Sequence, residues 1–448
     1  MAQLARTRTI LNTGLVVAAL ASAAVGQNWP RLRGADATGV VADDPRLPET
    51  WDRSTNVRWK AEIPGWGWSS PVVWGDRVFV SSAHGDEDYE GPKAGMYLGR
   101  GRQEPPDGVH HWMVYGLSLT TGELLWSSEA HSGAPSFPRH PKNTYASETP
   151  TTDGERLYVL FGDLGLYAYD FDGNQVWKVA IEARETKWGY GAAASPVVHE
   201  GQVMLVYDNE EDSYIAAYDA STGRERWRVA RDEPSTWATP FIWENELRTE
   251  IVVPGRLRNR SYSLEGDLIW HFDGHMSSLT IPTPFAVDGL LYITSGYFSD
   301  NPRPAFAIRP GAKGDIGLAE GATSNEFIRW YQPMIGPYNP SPIVYRGLYY
   351  TLLDRGFLTL NDAKTGEEIY GRVRFSGSPT FTSSPWAYNG KVFFLSEDGE
   401  TIVIDAKRDF EEVRSNDLDE LSLSTPSIAQ GKLLIRTASH VWCISNEG

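Results

Sequence analysis

Few residues of this 448-residue chain stand in patterns that carry chemistry. His110-His111 supplies two imidazoles, but adjacent residues of a strand point to opposite faces, so the pair reads as solvated side chains rather than a metal clamp. His84 with Asp86-Glu87-Asp88, and the run Asp208 to Asp212, offer oxygen ligands of the kind Ca²⁺ takes. Neither has the spacing of a calcium loop, and both read as acidic turn tips. Gly65-Trp66-Gly67 has no helix after it, so it builds no phosphate cradle. No nucleophile elbow occurs. The single cysteine, Cys443, lies between Trp442 and Ile444, cannot form an intrachain disulfide, and reads as a small buried hydrophobe. No catalytic residue and no metal ligand is assigned on these grounds.

The elements that would hold such residues are legible as a repeat. A Ser or Thr precedes Pro71, Pro150, Pro196, Pro240, Pro284, Pro342, Pro385 and Pro426. Four or five residues later comes Gly75, Gly154, Gly201, Asn245, Gly289, Gly347, Gly390 or Gly431, each able to take a positive φ, and then an apolar run. The second half of each unit ends a strand in a Gly turn before a Trp: Gly122 before Trp126, Gly173 before Trp177, Gly223 before Trp227, Gly266 before Trp270. Trp330 follows a longer insert, Gly311 to Asn325, which is expected to be mobile. A unit of four strands in about 40–45 residues is the period of a propeller blade. The eighth unit lacks its last strand, and Asn56 to Lys60, with Trp59, supplies one with no strands before it. The N-terminal strand is therefore expected to close the ring and remove two open edges.

Asp219-Ala-Ser-Thr-Gly-Arg-Glu-Arg-Trp227 resembles the tryptophan-docking repeat of PQQ-type propellers, a superfamily of quinoprotein dehydrogenases and BamB-type assembly proteins. The resemblance covers residues 56 to 448 and implies an all-β, eight-bladed propeller of four-stranded antiparallel blades. Asn28 to Gly34 and Gly67 to Pro71 also look like exported members of unassigned activity. The alcohol-oxidising members hold PQQ and Ca²⁺ in the central channel, with the quinone between a Trp and a disulfide of adjacent cysteines. One cysteine leaves that disulfide out, and no stretch matches a metal-ligand set. The reading is thus a binding or scaffold propeller, and a PQQ-dependent dehydrogenase is the alternative.

Residues 1–26 read as a signal peptide, with Arg6 and Arg8, an apolar stretch from Ile10, and Ala24-Val25-Gly26 before the cleavage point. Residues 27–55 form an N-terminal extension before the propeller at 56–448. A periplasmic or secreted monomer, not embedded in the membrane, is expected. The net charge of −17 opposes sequence-independent binding to nucleic acid. Loops from strand D to the next strand A, and from B to C, share one face. That face carries Trp66, Trp68, His111, Tyr145, Trp188, Tyr190, Trp237 and Tyr338, under the long 83–111 and 129–146 loops. Aromatics around a concave mouth suit a protein, peptide or carbohydrate ligand.

Overall fold

A computed structural model describes residues 28–97, 101–378 and 380–446; the expected signal segment lies outside them. The chain forms eight antiparallel sheets in sequence order, the blades of an eight-bladed propeller. Blade 1 comprises Val72–Trp74, Arg77–Gly85, His110–Ser118 and Leu124–Gly133 as strands A to D. Blades 2 to 7 begin at Thr151, Val197, Phe241, Phe285, Ile343 and Trp386. Blade 8 takes strands A to C from Ser427–Ala429, Lys432–Arg436 and His440–Ile444, and strand D from Val57–Glu62. Trp59 faces Cys443 and Glu62 faces His440 across that closure. Among the described residues, helix is limited to two short 3₁₀ turns, Lys187–Gly189 and Asp354–Gly356.

Middle strands are buried on both faces because neighbouring blades cover them: every residue of Leu157–Phe161 is buried, whereas Gln175–Ala180 on the rim is mostly exposed. Two periodic bonds tie blade to blade. At the rim, the indole N–H of Trp126 donates to Phe171 O at 2.8 Å, Trp177 to Ala220 O at 3.0 Å, Trp227 to Leu264 O at 2.8 Å and Trp330 to Ala363 O at 2.9 Å. Each ring lies on the Gly turn of the next blade. A Cβ on Gly173 would sit 2.5 Å from Trp126, which is why that turn admits only glycine. Trp177, Trp270 and Trp330 are buried, and Trp126 and Trp227 are half-buried.

Trp270 departs from the series and donates to Glu250 Oε2 at 2.6 Å. The expected mobile insert explains the departure and is itself corrected. Gly314–Asp315 adds a parallel strand to the rim of blade 4, facing Trp270 and His271, so the segment satisfies an open edge instead of hanging free.

The inner bond uses the Ser/Thr of the Ser/Thr-Pro signal. The main-chain N–H of Ser70 donates to Thr149 Oγ1, Thr149 to Ser195 Oγ, and Ser195 to Thr239 Oγ1, at 2.9–3.0 Å. Thr283 to Ser341, Ser341 to Ser384 and Ser384 to Thr425 repeat it at 2.9–3.0 Å. The dipeptide is therefore a belt around the channel.

The N-terminal extension crosses the opposite face. Trp29 bridges Val73 of blade 1, Thr152 N of blade 2 donates to Pro30 O, and Val40 bridges Ala387 of blade 7. Arg33 reaches Pro342 O at 2.7 Å and lies over the Phe285 ring at 5.0 Å. The strap closes that end of the channel.

Candidate ligand-binding site in the central channel

The D–A loops put one or more side chains each at the channel mouth. Trp68 comes from the loop into blade 1, Lys142 from that into blade 2, Tyr190 into blade 3, Trp237 into blade 4 and Tyr338 into blade 6. Together they line a cavity of about 210 Å³ whose floor holds Leu32 of the strap and whose wall includes all eight Ser/Thr of the belt. A belt hydroxyl that accepts an amide N–H keeps its own O–H free to donate. Ser70 Oγ, at the seam between the first and last blades, is buried with no partner.

The aromatic groups are fixed by their polar edges. Trp68 Nε1 donates to Lys142 O at 2.8 Å and Trp237 Nε1 to Gly191 O at 2.7 Å. With those edges satisfied, the rings offer apolar surface. Trp68, Tyr190 and Trp237 are 5–8% exposed, so the cavity meets narrow faces of rings packed into the wall.

Charge at the mouth is neutralised locally. Lys142 Nζ lies 2.5 Å from Glu397 Oε1, a carboxylate with no exposed surface on the B–C connection of blade 7. Thr382 Oγ1 donates to the same oxygen at 2.7 Å, and Gly95 N to Oε2 at 2.8 Å. Gly95 belongs to the long B–C connection of blade 1, which is thereby drawn over the mouth; Tyr97 meets His140 edge-on at 5.7 Å. Burial, with Lys142 beside it, pushes His140 down to about 3. Its Nδ1 accepts from Lys142 N at 3.2 Å, so the neutral ring carries its proton on Nε2.

Of the eight residues picked from sequence, Trp68, Tyr190, Trp237 and Tyr338 line the cavity. Trp188 packs behind them, with Lys187 Nζ 4.8 Å from its ring, and Trp66 covers Gly91. Tyr145 donates to Phe137 O at 3.3 Å, away from the channel. His111 sits at the far end of the blade 1 hairpin between Glu129 Oε2 at 2.6 Å and Asp86 Oδ1 at 3.0 Å, which raise its pKa, while His110 is buried on the other face. Sequence reasoning missed Glu397 and Leu32. Glu397 sits in an ordinary Glu-Asp-Gly turn, and Leu32 precedes the propeller altogether. Neither carried a signal.

A family model described as outer membrane protein assembly factor BamB, built on PQQ-like repeats, matches residues 111–371, more than half of the chain. The chain belongs to this family. As a PQQ-like propeller it is similar in fold to BamB from Moraxella catarrhalis (12% identity, 87% of this chain and 99% of that one, TM-score 0.57). It is equally similar to quinohemoprotein alcohol dehydrogenase from Comamonas testosteroni (13% identity, 95% and 81%, TM-score 0.58). A polyvinylalcohol dehydrogenase of a Pseudomonas species is 22% identical over 207 residues, 42% of this chain and 26% of that relative's length.

The cofactor that the dehydrogenase branch implies can be tested on the donor set. PQQ is a three-ring tricarboxylate, and Ca²⁺ takes six to eight oxygen ligands. Among the described residues the cavity offers one ammonium, already on Glu397, and no carboxylate. Its volume is also below the roughly 300–1,000 Å³ of sites for molecules that size. The residues present do not fit PQQ with Ca²⁺.

Proposed function

We propose that this chain is an exported binding propeller whose channel takes one ring or one chain end of an uncharged, hydroxyl-rich ligand of the carbohydrate class. The observation that carries the reading is the pairing of an apolar aromatic mouth with a belt of hydroxyl donors below it, closed beneath by the strap. Sugars present apolar C–H faces and acceptor oxygens together, and aromatic surface with a few placed polar groups is what such ligands use. The internal neutralisation of Lys142 supports an uncharged ligand over an anion. Export is supported by the pattern of residues 1–26; no helix among the described residues is long and apolar enough to cross a membrane.

A protein partner on the same face is the second reading, favoured by membership of a family described as an assembly factor. Calorimetric titration with neutral oligosaccharides (maltotetraose, cellotetraose, chitotetraose) and with acidic oligogalacturonide separates the readings. Saturable heat from a neutral sugar, and none from the acidic one, is expected. Silence from every sugar, with stable capture of an envelope protein that Tyr338→Ala abolishes, would replace the first reading by the second.

A further inference from the structure

The belt is the lower of two tiers. The residue two places before each belt Ser or Thr also lines the channel cavity, so every blade contributes one side chain to an upper tier. In a ring of eight, each blade stands across the channel from the fourth one after it. Blades 8 and 1 give Leu423 and Trp68, and across from them blades 4 and 5 give Trp237 and Ile281. Those two arcs are apolar. Blades 2 and 3 give the small Ser147 and Ala193, and facing them blades 6 and 7 give Asn339 and Thr382. The upper tier is therefore a slot with two apolar walls, small side chains at one end and polar ones at the other.

The three polar members differ in what they have left to offer. Ser147 Oγ donates to Asn143 Oδ1 at 2.6 Å, and Thr382 Oγ1 to Glu397 Oε1 at 2.7 Å. Asn143 is itself fully used, since its amide nitrogen donates to Tyr190 O and Ala192 O. Asn339 is half-buried, and its carboxamide pairs with nothing among the described residues. It also borders an adjoining cavity of about 30 Å³, under Met96 and Tyr97 of the long blade 1 connection. A carboxamide beside open space has an acceptor oxygen and two N–H donors to offer.

We propose that Asn339 determines the specificity of the channel by reading a vicinal pair of hydroxyls on the edge of a pyranose ring. The faces of that ring lie against the Trp68–Leu423 and Trp237–Ile281 walls. The assignment rests on the carbohydrate reading and adds an orientation to it. Apolar walls take a ring by its faces, which turns one edge toward blades 2 and 3 and the other toward blades 6 and 7. Ser147 and Ala193 leave room at the first edge; Asn339 meets the second. The belt repeats in every blade and favours no direction, whereas Asn339 breaks that repetition. Neighbouring hydroxyls set a donor and an acceptor side by side, as the carboxamide does. A ligand without them leaves Asn339 unpaired, the situation in which a site discriminates most strongly.

Calorimetry on the whole protein with maltotetraose, cellotetraose and chitotetraose tests the assignment in the wild type, Asn339→Leu and Asn339→Asp. Because the carboxamide holds nothing else in place, neither substitution should move the melting temperature. Asn339→Leu removes both hydrogen bonds and should weaken the tightest-binding tetraose at least about fivefold, the worth of two neutral hydrogen bonds. Asn339→Asp keeps acceptors for the ligand's O–H groups and should lose less than Asn339→Leu does. Unchanged affinity in folded Asn339→Leu, or an equal loss in the two variants, would overturn the assignment and leave the carbohydrate reading standing. No heat from any of the three tetraoses with the wild type would overturn both.

Discussion

The main-chain N–H of Thr149 donates to Oγ of Ser195 at 2.9 Å, across the boundary between blades 2 and 3. The same bond recurs at five other boundaries, so one short side chain both staples neighbouring blades and lines the channel.

Replacing Ser195 by Ala leaves the buried Thr149 amide unpaired and should cost about 1–3 kcal/mol. Ser70→Ala removes a hydroxyl that no amide uses and should change stability by less than about 0.5 kcal/mol. Equal losses in denaturant unfolding would show that the belt does not join the blades.

At the rim, Trp177→Phe keeps the plate on Gly223 but loses the N–H to Ala220 O, for about 1 kcal/mol. Trp177→Ala removes the plate as well and should cost about 3–5 kcal/mol. Denaturation midpoints that fall equally for both would mean that the hydrogen bond, not the packing, carries the docking.

Those two bonds explain what the sequence could and could not reveal. Blade count was legible because the Ser/Thr-Pro signal recurs eight times, and repetition needs no knowledge of partners. The Trp series recurs with it, and closure by Val57–Glu62 followed from the strand that the eighth unit lacks. The Ser/Thr before each Pro was visible as part of the repeat but its bond was not, since its partner lies 41–79 residues away in another blade. The channel mouth was half legible. Position in the D–A loops identified Trp68, Tyr190, Trp237 and Tyr338 but not how deep each would lie, so Tyr145, Trp66 and His111 were grouped with them. Glu397 was invisible, because a buried carboxylate differs from a turn-tip one only by the lysine that folding brings to it.

Deleting residues 28–62 removes the strap and the last strand of blade 8 and leaves edges open on blades 8 and 1. Size-exclusion chromatography should show aggregates. A monomer with an unchanged melting temperature would contradict the closure.

Burial pushes Glu148 up to about 8 and Asp163 up to about 6, next to each other behind the mouth. In the folded chain each holds a proton that the unfolded chain releases near the ordinary carboxyl range. Stability is then full below that range and falls as pH rises toward 8. The melting temperature should drop by a few degrees between pH 5 and 8.5, and Glu148→Gln should flatten most of that slope. The same slope in the variant would assign the effect elsewhere.

Binding of an uncharged ligand by the aromatic faces of the channel mouth is tested by calorimetry of the Trp68→Ala, Trp237→Ala double variant. The titrant is the tightest-binding neutral oligosaccharide, and circular dichroism confirms the fold. Affinity should fall at least about fivefold, because two ring contacts are each worth about 0.5–1.5 kcal/mol beyond area. Unchanged affinity in the folded double variant would contradict it.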